Sequence, residues 1–218
     1  MKILAIETST DMCSAALLLD NTLFERYQLA SREHAQLILP MINALLTDAG
    51  ISLRDLSAVA FGAGPGGFTG LRIAAGVVQG LSFAADLPVV GVSTLQALAQ
   101  GAYLELGATR VLAGLDARMG EIYYGAYQYN TDNTRMQAIV QDMLLTPSPF
   151  TPPEGTDWLA VGSAWQNHAS LLQSTLKRYP MARDIARLAV FACVEGKTVS
   201  AENALPIYLR DDVVNKGG

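Results

Sequence analysis

Three short apolar runs joined by polar turns open the chain. KILAIE (2–7), CSAALLL (13–19) and TLFERYQL (22–29) each have the length of a β-strand. The period then lengthens, and a helix is expected from about Glu33 to Ala49, with Pro40 as a kink. LSAVAF (56–61) reads as a strand, a glycine-rich turn follows, and a second helix runs from about Thr69 to Ala85. PVVGV (88–92) and a helix from Thr94 to about Leu104 close the first half. Strands alternating with helices predict an α/β sheet whose parallel core gains antiparallel strands from the opening hairpins.

The second half opens like the first. LAGLDARMGEIYYGAY (112–127) repeats the layout of ILAIETSTDMCSAALLL (3–19), strand, acid, tight turn, strand, with Asp116 in the place of Glu7. A duplicated α/β unit is the expectation, and it places both acidic turns on a cleft between two lobes. On this reading residues 1–106 form one lobe and 107–218 a second, reduced one, whose last segment is a candidate to pack back on the first. TPSPFTPPEGTD (146–157), with four prolines, is a loop inside the second half.

Both long helices carry more apolar surface than one contact needs. At about 100° per residue, Arg72, Gln79, Ser82 and Asp86 share one narrow sector of helix 69–85. Ala74, Val77, Val78, Leu81 and Ala85 make a side suited to a sheet. Ile73, Gly76, Gly80 and Ala84 make another, of small groups, that lets a second helix approach closely. Helix 33–49 has Ile38, Ile42, Leu45 and Leu46 on one side, with Leu37 and Met41 extending the stripe. The two helices either pack on each other or meet a partner.

Composition narrows the function classes. Half of the 218 residues are apolar, 16% are charged, and the formal net charge is −5. No basic run is present, so a protein that grips nucleic acid unaided is not expected. Two cysteines, Cys13 and Cys193, suit buried reduced thiols rather than a disulfide framework or thiolate metal site. Four apolar residues between Lys2 and Glu7 are too few for a signal peptide, and the run Leu71–Ala85 is short for a bilayer and broken by Arg72 and Gln79. A cytoplasmic protein with no membrane association is expected.

The stretch FGAGPGGFTG (61–70) resembles a phosphate-binding turn. Gly62, Gly64 and Gly67 fit G-x-G-x-x-G, and Gly62, Gly67 and Thr69 fit the P-loop spacing. Phe68 stands where the P-loop needs lysine, Pro65 removes a backbone donor, and the next strand ends Gly91-Val92-Ser93-Thr94 without a ribose-binding acid. Neither motif holds, and tight turning with close packing is the better account of the glycines. Chemistry elsewhere is sparse. His34 and His168 are too far apart in sequence for a helical ligand pair, His34 suits a packing or capping role, and no G-x-S-x-G elbow occurs. Glu7 and Asp116 fit either a magnesium–nucleotide held across the cleft or simple turn formation. Arg118 fits either a phosphate or partner carboxylate, or an ion pair with Asp116 or Glu121.

ILAIETSTDMCSAAL, SREHAQLILPMINALL, AFGAGPGGFTGLRIAAGVVQGLSFAADLPVVGVSTLQALA and LDARMGEIYYGAYQ together resemble the TsaB (YeaZ) family. The resemblance runs through about residue 129, fades across 130–190, and returns in GKTVSAENALPIYLRDD (196–212). It implies the duplicated two-lobe fold of the actin, acetate-kinase and Hsp70 superfamily (ASKHA, ribonuclease H-like). It also implies a bacterial role in making threonylcarbamoyladenosine beside the anticodon of tRNAs that read codons beginning with A. The implied partners are TsaD, the catalytic paralogue, and the P-loop ATPase TsaE, with a homodimer as an option for the free chain and tRNA met only through the complex. Where TsaD carries metal-binding histidines, this chain has Ser93-Thr94-Leu95-Gln96-Ala97-Leu98. The resemblance therefore implies a non-catalytic, TsaD-activating subunit with no metal and no firmly bound cofactor, ATP or its adenylate being handled by the partners. A small-molecule kinase of the same superfamily and a glycoprotease-like peptidase are the alternatives. The expected partner interface comprises Leu37, Met41, Leu45, Ile73, Gly76, Gly80 and Ala84. A vestigial phosphate loop comprises Glu7, Thr8, Ser9, Thr10, Gly64, Gly66 and Gly67, because Glu7-Thr8-Ser9-Thr10 departs from the superfamily's acid-x-Gly-Thr. Asp116, Arg118 and Glu121 are candidates for an interlobe or complex-facing role.

Overall fold

The computed structural model describes residues 1–30, 32–147, 150–166 and 175–210. His168, part of the proline-rich loop (Ser148 and Pro149), and Asp211 and Asp212 lie outside the described residues. Strands β1 (Lys2–Glu7), β2 (Met12–Leu19), β3 (Thr22–Leu29), β4 (Ala58–Gly64) and β5 (Val89–Ser93) form one sheet in the order β3-β2-β1-β4-β5. β1 pairs antiparallel with β2 and parallel with β4, as the opening hairpins predict. The second sheet holds β6 (Arg110–Arg118), β7 (Glu121–Asn130), β8 (Arg135–Leu145), β9 (Leu159–Val161) and β10 (Thr175–Leu176), in the order β10-β9-β6-β7-β8. β6 pairs antiparallel with β7 and parallel with β9. The second order is the first one repeated, so the duplication read from two acidic turns extends to the whole sheet.

Among the described residues there are also four α-helices: α1 (His34–Ala49), α2 (Phe68–Ala85), α3 (Thr94–Leu106) and α4 (Ala182–Val194). The first sheet is covered on both faces from β2 to β5, which is why those strands are nearly continuous apolar runs, whereas the edge strand β3 is mostly exposed and polar. Leu4, Ile6, Cys13, Leu17, Val59 and Phe61 pack with α1 and α2. Ile3, Ala5, Ala16, Val90 and Val92 pack with Ala182, Ile185, Ala186 and Ala189 of α4. α4 follows the second sheet in sequence yet covers the first. α3 reciprocates, packing Leu95, Leu98 and Ala102 on Val111, Ala113 and Tyr127. The lobes are thus held together by exchanged helices.

Several local expectations change. α1 continues through Pro40, whose missing N–H leaves one rung of the helix unmade. β4 extends three residues past Phe61, into the glycine stretch. Cys13 is buried but Cys193 only half-buried; both are free thiols. α2 is long and apolar enough to cross a membrane. Here it joins β4 to β5, parallel neighbours in one sheet, and lies on that sheet through Leu71, Ala74, Ala75 and Val78.

Candidate functional site

The loop after β1 is folded inward. Glu7, Thr8 and Ser9 are buried, and their backbone meets the glycine turn directly. Gly67 N–H donates to Ser9 O (2.7 Å) and Thr8 Oγ1 donates to Gly70 O (2.7 Å). A side chain on Gly70 would overlap the Thr8 carbonyl, one on Gly66 the Ser9 side chain, and one on Gly62 the Glu7 carboxyl. The glycines therefore allow two backbones to touch, and Ser9 O occupies an amide that a phosphate would use. Gly64 has a left-handed φ of 122° and admits the Ile207 carbonyl beside it. His34 Nε2 lies 2.8 Å from Thr10 O, a packing contact on the outer side of the loop.

Glu7 and Asp116 do not share a cleft. Glu7 is wholly enclosed, and burial raises its pKa to about 7, with hydrogen bonding from Ser9 the main opposing effect. A partly exposed Asp116 lines a separate cavity of about 270 Å³ on the second lobe, with Arg118, Met119, Gly120, Glu121, Ile122 and Ala164. β1 ends inside the packed loop, whereas β6 ends in an open hairpin, so equivalent acids meet different surroundings. In that hairpin Arg118 and Met119 both have positive φ (65° and 58°), and their side chains stand in solvent. Arg118 Nη1 reaches Asp116 Oδ2 at 3.4 Å, while Glu121 pairs with Arg210.

Residues 199–210 form a strap, within the last segment that the sequence made a candidate to pack back on the first lobe. Val199 bridges to Val89 at the edge of β5, Gln79 Nε2 donates to Ala204 O (3.1 Å), and Ile207 N–H donates to Ala63 O (2.7 Å). Tyr208 lies against Phe68, and its hydroxyl accepts from Arg72 Nε (3.1 Å). Arg210 then bonds Ala117 O (3.1 Å) in the second lobe. In the polar sector of α2, Arg72 and Gln79 bond the strap, although Arg72 stays exposed; Ser82 is buried and donates to Leu87 O, and Asp86 caps the helix with a left-handed φ. A second junction joins Ser93, the α3 cap, to the second sheet. Ser93 Oγ donates to Asp142 Oδ2 (2.5 Å), and Tyr127 OH also bonds Asp142. Burial raises the pKa of Asp142, and burial together with Asp142 pushes Tyr127 well up.

The expected interface residues separate into two groups. Leu45 is a correction: it is fully buried in the first lobe's own core with Ile38 and Ile42. Leu37, Met41 and Ile73 are half-buried at the margin of that core, and Gly76, Gly80 and Ala84 are exposed. A Cβ at Gly76 or Gly80 would meet nothing within 4 Å among the described residues, so no described element uses the close approach they permit. Phe83, 86% exposed, shares their face, seven residues from Gly76. That spacing was a readable signal. Phe68, 47% exposed, lies instead in the polar sector with Arg72 and Asp86, packed against Tyr208 of the strap.

Repeated sheets, exchanged helices and an acid closing the first strand of each half define the duplicated two-lobe fold of the actin-like superfamily. Residues 27–216 match the family model described as "TsaD: tRNA N6-adenosine threonylcarbamoyltransferase". The tRNA threonylcarbamoyladenosine biosynthesis protein TsaB of Escherichia coli is 43% identical over 99% of this chain and 97% of its own length. That of Haemophilus influenzae is 35% identical over 99% and 96%. The solved structure of YeaZ from Pseudomonas aeruginosa, 44% identical, superposes with a TM-score of 0.91 over 95% of this chain and 99% of that one. The chain belongs to the TsaB (YeaZ) family, whose curated members are named for tRNA threonylcarbamoyladenosine biosynthesis.

Proposed function

We propose that this chain is a non-catalytic subunit that activates a TsaD-type paralogue, the enzyme that places threonylcarbamoyl on the adenosine beside the anticodon of tRNAs reading codons that begin with A. The observation that carries the reading is the α2 face. Gly76 and Gly80 are open, flanked by exposed Phe83, and shaped for close helix approach. A paralogue of the same fold presents an equivalent helix pair, and pairing like with like needs one self-complementary surface. The same surface serves a homodimer of the free chain. The chemistry elsewhere agrees with a supporting role. The phosphate-side loop is packed shut by Ser9, and no group of three His, Cys, Asp or Glu converges as metal ligands among the described residues. ATP and its adenylate fall to the partner and to a TsaE-type ATPase, tRNA is met only within the complex, and the setting is the cytoplasm. The exposed Arg118 hairpin faces that assembly rather than a substrate of its own.

Reconstitution tests this directly. The chain, a TsaD protein and a TsaE protein of one organism are combined with tRNA, ATP and threonylcarbamoyl precursor, and the modified adenosine is quantified. Each component alone is expected to be inactive, with turnover appearing only when this chain is present. Transfer by the chain alone, or full transfer in its absence, overturns the reading.

A further inference from the structure

The buried carboxyl of Glu7 has no task in that reading. It ends β1 and its side chain is fully enclosed. Oε1 accepts the Ser9 N–H at 2.5 Å, while Oε2 has no hydrogen-bond partner among the described residues. Two further buried oxygens, Ser9 Oγ and Thr94 Oγ1, stand beside the carboxyl outside good hydrogen-bond geometry, and both hydroxyls oppose part of the burial effect on Glu7. The groups around it offer no counter-charge. β2 contributes Cys13, whose thiol burial and the carboxyl itself push up to about 11. The glycine stretch 61–70 has no titratable side chain, and α3 contributes only Thr94, with Asp142 and Tyr127 beyond Ser93. The remaining titratable contact on the loop is His34, at Thr10 O.

Ser9 connects this carboxyl to α2. Its N–H is held by Glu7 and its carbonyl holds Gly67, the N-cap of α2, while Thr8 fastens Gly70 one turn inside. We propose that Glu7 is a proton-operated latch: uncharged, it keeps loop 8–10 closed on the glycine turn; ionised, it loosens that closure and the first turn of α2. Burying a lone carboxylate without a cation is strongly unfavourable, whereas the neutral acid gains a donor for a neighbouring hydroxyl. Burial sets the closed-state pKa at about 7 against an ordinary 4.5, placing the transition in the physiological range. The sign follows from linkage. A carboxyl with a raised pKa binds more protons closed than open, so closure weakens as pH rises from the open-state pKa to the closed-state one, then levels off. Taking about 7 closed and 4.5 open, the opening constant rises about tenfold between pH 6 and pH 8.5.

The test uses the whole chain alone, so it is independent of any partner. Amide exchange at Ser9 and Gly67, corrected for intrinsic rate, is followed from pH 6 to pH 8.5 in the native protein and in Glu7→Gln. Expected is a roughly tenfold loss of protection at both amides in the native protein and a flat profile in the variant. A flat native profile overturns the latch, and an equal loss in both proteins overturns it by assigning the effect to another group. Should Glu7→Gln fail to fold, the carboxyl carbon resonance of Glu7 in the native chain decides. A midpoint near neutrality supports the latch, and one in the ordinary carboxylate range overturns it.

Discussion

Replacing Gly80 with Leu separates the partner surface from the lobe's own core. Within the described residues the added side chain enters open space, since none of them lies within 4 Å of a Cβ at this position. Leucine is also the better helix former by about 0.7 kcal/mol, so the free variant is expected to be as stable as the parent or slightly more so. In a complex where a second helix rests on Gly76 and Gly80, the same side chain overpacks the contact at a cost of about 1–3 kcal/mol. That is roughly a five- to hundredfold weaker Kd. Thermal melting of the free variant and calorimetric titration with a TsaD protein give the two quantities separately. Phe83→Ala serves as a companion, because an 86% exposed side chain supports nothing in the monomer. An unchanged affinity for Gly80→Leu in a stable chain would refute the docking face. A destabilised free chain would refute the assignment of Gly80 to the surface.

Three other outcomes are expected. Leu45→Ala, which empties a fully buried position among Ile38 and Ile42, should cost about 2–5 kcal/mol in denaturant unfolding; a loss below 1 kcal/mol (about the surface range) would return Leu45 to the interface. The raised Glu7 pKa should make the native chain lose about 2–3 kcal/mol of stability as pH rises from 4.5 through 7, and calorimetry of Glu7→Gln should show that dependence removed. Arg210→Ala removes the bonds to Glu121 and Ala117 O that join the strap to the second lobe. A partly exposed pair supports about 1 kcal/mol, so a small shift in urea midpoint is expected, with amide exchange rising at 117–121 and unchanged at Ser9.

The sequence alone determined the element order of the first half and the opening hairpin of the second, because periodicity is local. Runs of strand length in β1, β2 and β3, the glycine stretch before α2, and the second strand–acid–turn–strand at Asp116 all lie within windows of a few residues. The close-approach face of α2 was legible for the same reason, since Gly76 and Gly80 share a face by spacing alone. Tertiary structure decided what each local feature meets. Leu45 and Leu37 lie on one apolar stripe, yet only the position of the sheet tells that Leu45 is core and Leu37 margin. Glu7 and Asp116 hold equivalent places in a repeated unit, but one is enclosed by backbone from residues 62–70 and the other faces a cavity. The exchange of α3 and α4 between sheets, the strap from Val199 to Arg210 and the Ser93–Asp142 junction all join residues distant in the chain. Such contacts leave no periodic trace, because burial, charge and pKa depend on which surfaces meet after the chain has folded.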